Sequence, residues 1–127
     1  MDIIVNRKFS QQITFLHSND INTTKHFYYE VLGLPLVRDQ GTCVIFGVTE
    51  NAFLGFCEHI TPIQSDRSVI LTLVTDDVDE WFNALTGKGI EVINEPEHNP
   101  KFHIYHFFFH DPDGYWIEIQ GFDDLIQ

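Results

Sequence analysis

Apolar and polar residues follow the same order in two stretches of the chain. Each stretch begins with a short apolar run, continues with an Asp and a helically spaced apolar stripe, and ends at a glycine followed by further apolar runs. The first begins at Ile13 and the second at Ile70, an offset of 57 residues that also pairs Asp20 with Asp77. Repetition of this kind indicates an internal duplication.

Local spacing predicts one helix in each stretch. In the second, Asp77 and Glu80 have the spacing of a capping box. The apolar stripe that follows consists of Val78, Trp81, Phe82 and Leu85. In the first, Asp20 or Asn22 caps a helix that Gly33 ends. Its apolar face consists of Phe27, Tyr28, Val31 and Leu32, and such aromatic faces are expected in a core.

Strand-like runs follow each helix and are separated by Gly and Pro clusters. They are residues 36–39, 42–47 and 52–58 in the first stretch, and 90–94, 103–110 and 115–120 in the second. Residues 111–114 form a turn that joins the last two runs as a hairpin, whereas residues 94–102 are expected to be irregular. The pattern predicts an α+β fold.

That fold consists of two tandem βαβββ units forming a cupped, mostly antiparallel sheet with the helices outside. The first unit spans about residues 10–61 and the second about 69–122, within a single domain of residues 1–127. Residues 62–68 are the polar connection between the units. A chain of this length buries enough surface to fold without disulfides.

The net charge of the chain limits the classes of molecule that it is expected to bind. Nineteen acidic residues against seven basic ones give a formal charge of -12, which repels nucleic acids and anionic lipid surfaces and favours cationic ligands. No apolar run has the length of a membrane span or a signal peptide. We therefore expect a cytoplasmic protein that binds neither nucleic acid nor membranes, although acidity also serves solubility alone.

The two cysteines, Cys43 and Cys57, show neither CxxC nor Cys/His ligand spacing. Both are expected to be reduced thiols in the cytoplasm, and a structural zinc site is not expected. Cys57 and His59 share one face of a strand but lie about 6.6 Å apart along it, beyond the reach of a thiolate–imidazole pair. Cys57 is therefore expected to pack as a small apolar residue.

Three features in this order are diagnostic: the duplicated units, the Asp-capped "FYYEVLGL" helix and turn, and "DPDGYWIEI" near the C-terminus. Together they resemble the vicinal oxygen chelate superfamily, which contains glyoxalase I, bleomycin-resistance proteins, fosfomycin-resistance enzymes and extradiol dioxygenases. The resemblance covers about residues 10–122. It implies the fold but no single function, because this fold hosts several chemistries as well as ligand binders.

The resemblance also implies where a metal would bind. Metal-dependent members carry a His or Gln seven residues before each capping Asp, and a Glu four residues after the glycine of the last turn. Those positions are Ile13 and Ile70, which cannot bind a metal, and Glu118, which can. A fourth position falls within residues 52–58, where Glu58 is the one carboxylate. Because catalytic zinc takes three protein ligands, the family's metal site is expected to be lost, and enzymatic activity stays open.

Strand alternation predicts which side chains face into the cupped sheet. These candidate ligand-binding residues are Phe15, His17, Thr72, Val74, Trp116, Glu118 and Gln120. Such a pocket is aromatic, with one acid, one imidazole and one amide, and it suits a planar or amphipathic organic ligand. Glu118 would pair with a cationic group, act as a general base, or hydrogen-bond within the fold.

Three functions fit these residues. The first is a metal-independent small-molecule-binding protein that resembles bleomycin-resistance proteins, uses no cofactor and binds an aromatic or cationic organic ligand. The second is a glyoxalase-like lyase or dioxygenase-like enzyme with a divalent metal at a displaced site formed by His17 and Glu118, with His103 or His106 as a third ligand. The third is a non-catalytic scaffold or regulatory dimer.

Aromatic strand surface also points to self-association. The eighth strand and the "HIYHFFF" run carry more aromatic surface than one small unit can bury, which indicates a homodimer. A monomer whose two units pair internally fits as well. The sequence assigns no role to His98, His103, His106 and His110.

Overall fold

Two units of like topology make up the part of the chain that this computed structural model describes, residues 9–62 and 69–123. In each unit the first strand pairs parallel with the fourth, and the fourth, third and second strands pair antiparallel in turn. The expected α+β fold of two βαβββ units is confirmed. The polar connection at 62–68 lies, except for Pro62, outside the described residues.

The first unit consists of β1 (Gln12–His17), α1 (Ile21–Lys25), a π-helical segment (His26–Val31), β2 (Leu36–Asp39), β3 (Cys43–Thr49) and β4 (Ala52–Cys57). The helix was predicted, but not its change of pitch in the second half. Gly33 follows it with a φ of 74°, the left-handed conformation that glycine adopts without strain.

Aromatic side chains of the π-helical segment form the core of the first unit. Tyr28 is fully buried, and its ring lies 4.4 Å from that of Phe56 and 5.5 Å from that of Phe46. Phe27 packs edge-on against Tyr28 at 5.1 Å. The helical segment therefore covers the face of the sheet that carries Phe46 and Phe56, as expected from the apolar stripe.

The second unit consists of β5 (Ile70–Val74), α2 (Val78–Gly87), β6 (Glu97–Asn99), β7 (Ile104–His110) and β8 (Trp116–Phe122). Phe82 of α2 packs edge-on against the fully buried Phe107 of β7, with ring centroids 5.4 Å apart. The same face of this sheet carries further buried apolar side chains: Phe109, Ile117 and Ile119. We call the opposite face of each sheet, turned away from its helix, the helix-free face.

The predicted strand at residues 90–94 is wrong. This stretch makes one isolated bridge, between Val92 and Phe109, and the Asn94 side chain accepts a hydrogen bond from the backbone N–H of Phe108 at 3.0 Å. The edge strand is β6 instead, which lies within the stretch expected to be irregular. Because β6 is short and polar, it has no apolar alternation that could reveal it. Among the described residues, no helix is long and apolar enough to span a membrane.

Cys43 and Cys57 form a disulfide, which corrects the expectation of two reduced thiols. The antiparallel register of β3 and β4 places the two residues directly opposite each other, with their Cα atoms 4.1 Å apart. Side chains are close at such cross-strand positions. Their separation of 14 residues in the sequence does not reveal this contact, because it depends on the register of the hairpin.

The two duplicated caps differ. Asp20 accepts hydrogen bonds from the backbone N–H of Asn22 at 3.0 Å and from the Thr23 hydroxyl at 3.2 Å. Asp77 makes no side-chain capping bond, and its own N–H donates to the Thr75 hydroxyl at 3.0 Å. The capping box predicted for Asp77 is therefore wrong, whereas the cap at Asp20 is present.

This difference predicts unequal losses of stability. Asp20→Ala should lower the free energy of unfolding by about 1 kcal/mol, because it removes an acceptor from the first turn. Asp77→Ala, the duplicated position, should lower it by less than about 0.5 kcal/mol, as expected of a surface substitution. Urea denaturation of both variants measures the difference. Equal losses would show that the two caps contribute alike.

Candidate functional site

Four polar side chains meet on the helix-free face of the second sheet. Strand pairing places Thr72 of β5 beside Glu118 of β8, and His106 of β7 beside Gln120 of β8. Glu118, His106 and Gln120 are buried, whereas Thr72 on the outer strand is exposed. We call these four residues the Glu118 cluster.

Glu118 is the common acceptor of the cluster. The Thr72 hydroxyl donates to Oε1 at 2.8 Å, and Nδ1 of His106 lies 2.6 Å from Oε2. With its amide nitrogen turned toward Glu118, Gln120 donates to Oε1 at 3.2 Å and to Oε2 at 2.9 Å. These donors fill the acceptor capacity of a carboxylate, which is about four sites.

This arrangement fixes the orientation of the imidazole. When the neutral ring of His106 donates from Nδ1 to Glu118, its lone pair is on Nε2. That atom is then available as a hydrogen-bond acceptor, or as a base, toward a bound molecule. The carboxylate itself contributes a negative charge in a largely buried place, since the side chains of His106 and Glu118 are each 10% exposed.

Aromatic rings extend the same face beside the cluster. Phe108 lies opposite Glu118 on β7, and its ring is 5.1 Å from His106 and 5.5 Å from Trp116. His110 packs edge-on against Trp116 at 4.9 Å. Phe108 and Trp116 are half-buried, so part of each ring is open to a bound molecule. Flat apolar faces of this kind bind planar organic groups.

The predicted ligand-binding residues fall into two groups. Thr72, Glu118 and Gln120 are joined by hydrogen bonds, and Trp116 belongs to the adjoining aromatic surface. Val74, opposite Gln120 on β5, is 60% exposed. Phe15 and His17 lie on β1 of the first unit, and their participation in the same site stays a prediction.

His17 has partners within its own unit. Its Nδ1 lies 2.6 Å from the carbonyl oxygen of Ile60, and its Nε2 lies 2.7 Å from Oδ1 of Asn19. A displaced metal site formed with Glu118 would have to break one of these contacts. That site, and the role of Glu118 as a general base, stay predictions.

The fold and the motifs together identify the family. The family model of the Glyoxalase/Bleomycin resistance protein/Dioxygenase superfamily matches residues 11–119 of the chain. The chain belongs to this superfamily. No curated protein sequence matches it. The resemblance inferred from the duplicated units and the terminal motif is thereby confirmed.

Solved structures of the superfamily share the fold. A glyoxalase/bleomycin resistance protein/dioxygenase from Nocardioides is 18% identical over 91% of this chain and 84% of its own, with a TM-score of 0.75. Lactoylglutathione lyase from Agrobacterium tumefaciens is 22% identical over 91% and 95%, with a TM-score of 0.71. TnmS3, an antibiotic binding protein from Streptomyces sp. CB03234, is 26% identical over 87% and 93%, with a TM-score of 0.75. The first two likenesses concern the fold alone.

Strand register identifies the superfamily's fourth ligand position, which the sequence left open within residues 52–58. The β1–β4 pairing sets Phe15 beside Gly55, as the β5–β8 pairing sets Thr72 beside Glu118. Gly55 is therefore the first-unit counterpart of Glu118. The ring of Phe15 occupies the space that a side chain at Gly55 would need. The first unit thus has an aromatic ring where the second has a carboxylate.

A divalent metal does not fit these positions. Ile13, Gly55 and Ile70 have no side-chain donor atom, and the oxygens of Glu118 are already hydrogen-bonded. Glu58 is not available either, because its Oε2 accepts the backbone N–H of Ile21 at 3.1 Å. A single carboxylate does not satisfy the three protein ligands of a catalytic zinc.

His106 is the member of the site that was not among the predicted binding residues. The sequence offered it only as a third ligand of a displaced metal site, with His103 as the alternative. The register of the hairpin at residues 111–114 contains the missing information, because it pairs His110 with Trp116 and therefore His106 with Gln120. Counting outward from that turn places His106 diagonally beside Glu118.

Proposed function

We propose that this protein binds a planar aromatic organic cation on the helix-free face of its second sheet, without a metal. The observation that carries the proposal is the Glu118 cluster: a buried carboxylate that accepts from Thr72 and lies 2.6 Å from Nδ1 of His106, beside the half-buried rings of Phe108 and Trp116. The proposal matches the bleomycin-resistance-like function expected from the sequence.

Charge supports a cationic ligand. Thr72 and Gln120 are neutral, and a neutral His106 also leaves the negative charge of Glu118 in place. A buried carboxylate without a cationic partner is costly, so a ligand cation that approaches it gains more than it would from an exposed one. The formal charge of -12 adds a long-range attraction of the same sign.

The hydrogen bonds assign different roles to the members of the cluster. Because its acceptor sites are filled, Glu118 would supply charge and hold His106, and it would not remove a proton from a substrate. Nε2 of His106 would accept a hydrogen bond from the ligand, and Phe108 and Trp116 would contact its ring. The antibiotic-binding description of TnmS3 supports such a function for this chain.

The proposal includes partners and location. We infer a cytoplasmic homodimer that binds a small molecule and neither nucleic acid nor membranes. The aromatic surface of the strands and the acidity of the chain support this inference. In the cytoplasm the Cys43–Cys57 disulfide would be exposed to reduction.

Thermal unfolding with matched probes tests the proposal. Proflavine, a planar cation at neutral pH, should raise the melting temperature in the absence of added metal. Ligand at about 100 times its dissociation constant stabilises a protein by about 2.7 kcal/mol, which is an easily measured shift. Acridine, which has the same ring system but is neutral, should raise it much less.

Each other outcome would overturn a part of the proposal. Equal shifts with both compounds would show that the charge of Glu118 does not contribute to binding. A shift that needs zinc, nickel, manganese or iron ions would favour the metal-dependent enzyme. No response to any compound or metal would favour a scaffold.

A further inference from the structure

A second group of chemically reactive side chains lies in the first unit. Among residues 9–62 and 69–123, one group of three His, Cys, Asp or Glu side chains has ligand atoms close enough to share a metal ion: Cys43, Cys57 and His59. Their ligand atoms all lie within 4.8 Å of one another. Nδ1 of His59 is 3.8 Å from Sγ of Cys43.

The structure corrects the spacing expected for His59. Because β4 ends at Cys57, His59 lies in the following turn and does not continue along the strand. The turn brings its ring toward Cys43 on the neighbouring strand. Glu58, between Cys57 and His59 in the sequence, accepts a hydrogen bond from the N–H of Ile21 at the start of α1. This bond fixes the turn.

We propose that Cys43, Cys57 and His59 form a redox-gated site for a thiophilic divalent cation such as Zn²⁺. In the oxidised chain the two sulfurs are bonded to each other and offer no thiolate. In the reduced chain they become two thiols on facing strands, beside an imidazole. Two Cys and one His are a known donor set for zinc, with water in the fourth position.

The gating reaction is a thiol–disulfide exchange with a dithiol as the reductant. A thiolate of the dithiol attacks one sulfur, the Cys43–Cys57 bond breaks, and the dithiol's second thiol resolves the mixed disulfide. Two electrons and two protons pass to the protein, and the reductant leaves as its own disulfide. Binding of Zn²⁺ then releases the two thiol protons.

The geometry suits this change. Ligand atoms around a tetrahedral zinc lie about 3.5–3.8 Å apart, given zinc–sulfur and zinc–nitrogen bonds of about 2.3 and 2.1 Å. The distance between Cys43 and His59 already has this value. The Cys57 sulfur can rotate away from Cys43 about its own Cα–Cβ bond, which leaves the distance between Cys43 and His59 unchanged, while the β3–β4 pairing holds the backbone.

Duplication gives the site a context. Cys43 lies directly opposite Cys57 on the third and fourth strands of the first unit, and Cys57 is two residues after Gly55. His106 lies directly opposite Gln120 on the third and fourth strands of the second unit, and Gln120 is two residues after Glu118. The two pairs therefore occupy equivalent positions. Both sheets therefore place their polar or reactive pair at the same point of the helix-free face. The proposed cation site does not use Glu118, so it stands independently of the proposed function.

Metal titration of oxidised and reduced protein tests the proposal. The chain is reduced with dithiothreitol, freed of it by gel filtration without oxygen, and titrated with Zn²⁺ and with Co²⁺. We expect one ion per reduced chain, with the intense near-ultraviolet thiolate-to-cobalt absorption of tetrahedral Co²⁺, and no such band in the oxidised chain. Cys43→Ser should abolish the band.

Two further variants keep the test decisive. His59→Ala should weaken binding by at least about tenfold, since loss of even an outer partner of a ligand has that effect. His98→Ala, an exposed histidine of the second unit, should leave it unchanged. Binding that persists in the oxidised chain, or that ignores His59→Ala, would overturn the proposal. So would a reduced chain that unfolds and does not recover its circular dichroism with Zn²⁺.

Discussion

Glu118→Gln should weaken proflavine binding by roughly ten- to one-hundred-fold while the chain stays folded. Two opposite unit charges about 8 Å apart attract each other by about 2 kcal/mol at an effective dielectric constant of about 20, and this substitution removes the charge but keeps the size of the side chain. The glutamine can still accept from Thr72 or from His106 with its one carbonyl oxygen. Proflavine fluorescence measures the affinity, and circular dichroism follows the fold.

Glu80→Gln is the matched control for this change. Glu80 lies in the first turn of α2, exposed and away from the helix-free face, and the substitution alters the net charge by the same amount. Its proflavine affinity should equal that of the unaltered chain. If both variants bind proflavine as tightly as the unaltered chain does, Glu118 does not contribute to binding. If both bind equally poorly, the effect comes from net charge and not from the Glu118 cluster.

Removal of the ring should destabilise the chain to different extents at two neighbouring phenylalanines. Phe107 is fully buried against Phe82 of α2, so Phe107→Ala should lower the free energy of unfolding by about 3–5 kcal/mol. Phe108 faces the Glu118 cluster and is half-buried, so Phe108→Ala should cost about 1–2 kcal/mol. Urea denaturation measures both values.

Binding should follow the reverse order. Phe108→Ala removes a ring that we expect to contact proflavine and should weaken its binding. Phe107→Ala should retain the affinity under conditions where the chain is folded, because the ring faces the helix. A loss of affinity in Phe107→Ala with none in Phe108→Ala would place the ligand on the other face of the sheet.

Periodic apolar patterns were sufficient to predict most elements. The stripe at Val78, Trp81, Phe82 and Leu85 predicted α2, because helical spacing places those side chains on one face, on which Val78 and Leu85 are buried. The strand at residues 36–39 was predicted with its observed bounds. Edge strand β6 was missed, because its pairing uses backbone groups and leaves no mark on the side-chain pattern.

Contacts that depend on register were harder to infer. Glu118 was found because its distance from the glycine of a short turn is fixed by the motif. The Cys43–Cys57 contact depends on the exact pairing of β3 with β4, which includes a shift of register between Gly47 and Thr49. Spacing in the sequence cannot supply such a shift. The same holds for Gly55, whose correspondence with Glu118 follows only from strand pairing.

The Asp77 cap shows a different kind of error. Its sequence has the spacing of a capping box, but the Thr75 hydroxyl accepts the N–H of Asp77, which is the group that Glu80 would accept in such a box. Local motifs compete with neighbouring side chains for the same backbone groups. A threonine two residues before the cap was the available signal.

The central claim is that a cationic aromatic molecule binds this protein without a metal. Calorimetric titration of the protein with proflavine, carried out with and without a strong chelator, tests it most directly. We expect one proflavine per chain with the same affinity in both titrations. Loss of binding in the chelator, and its return on addition of a divalent ion, would contradict the claim and show that binding depends on a metal.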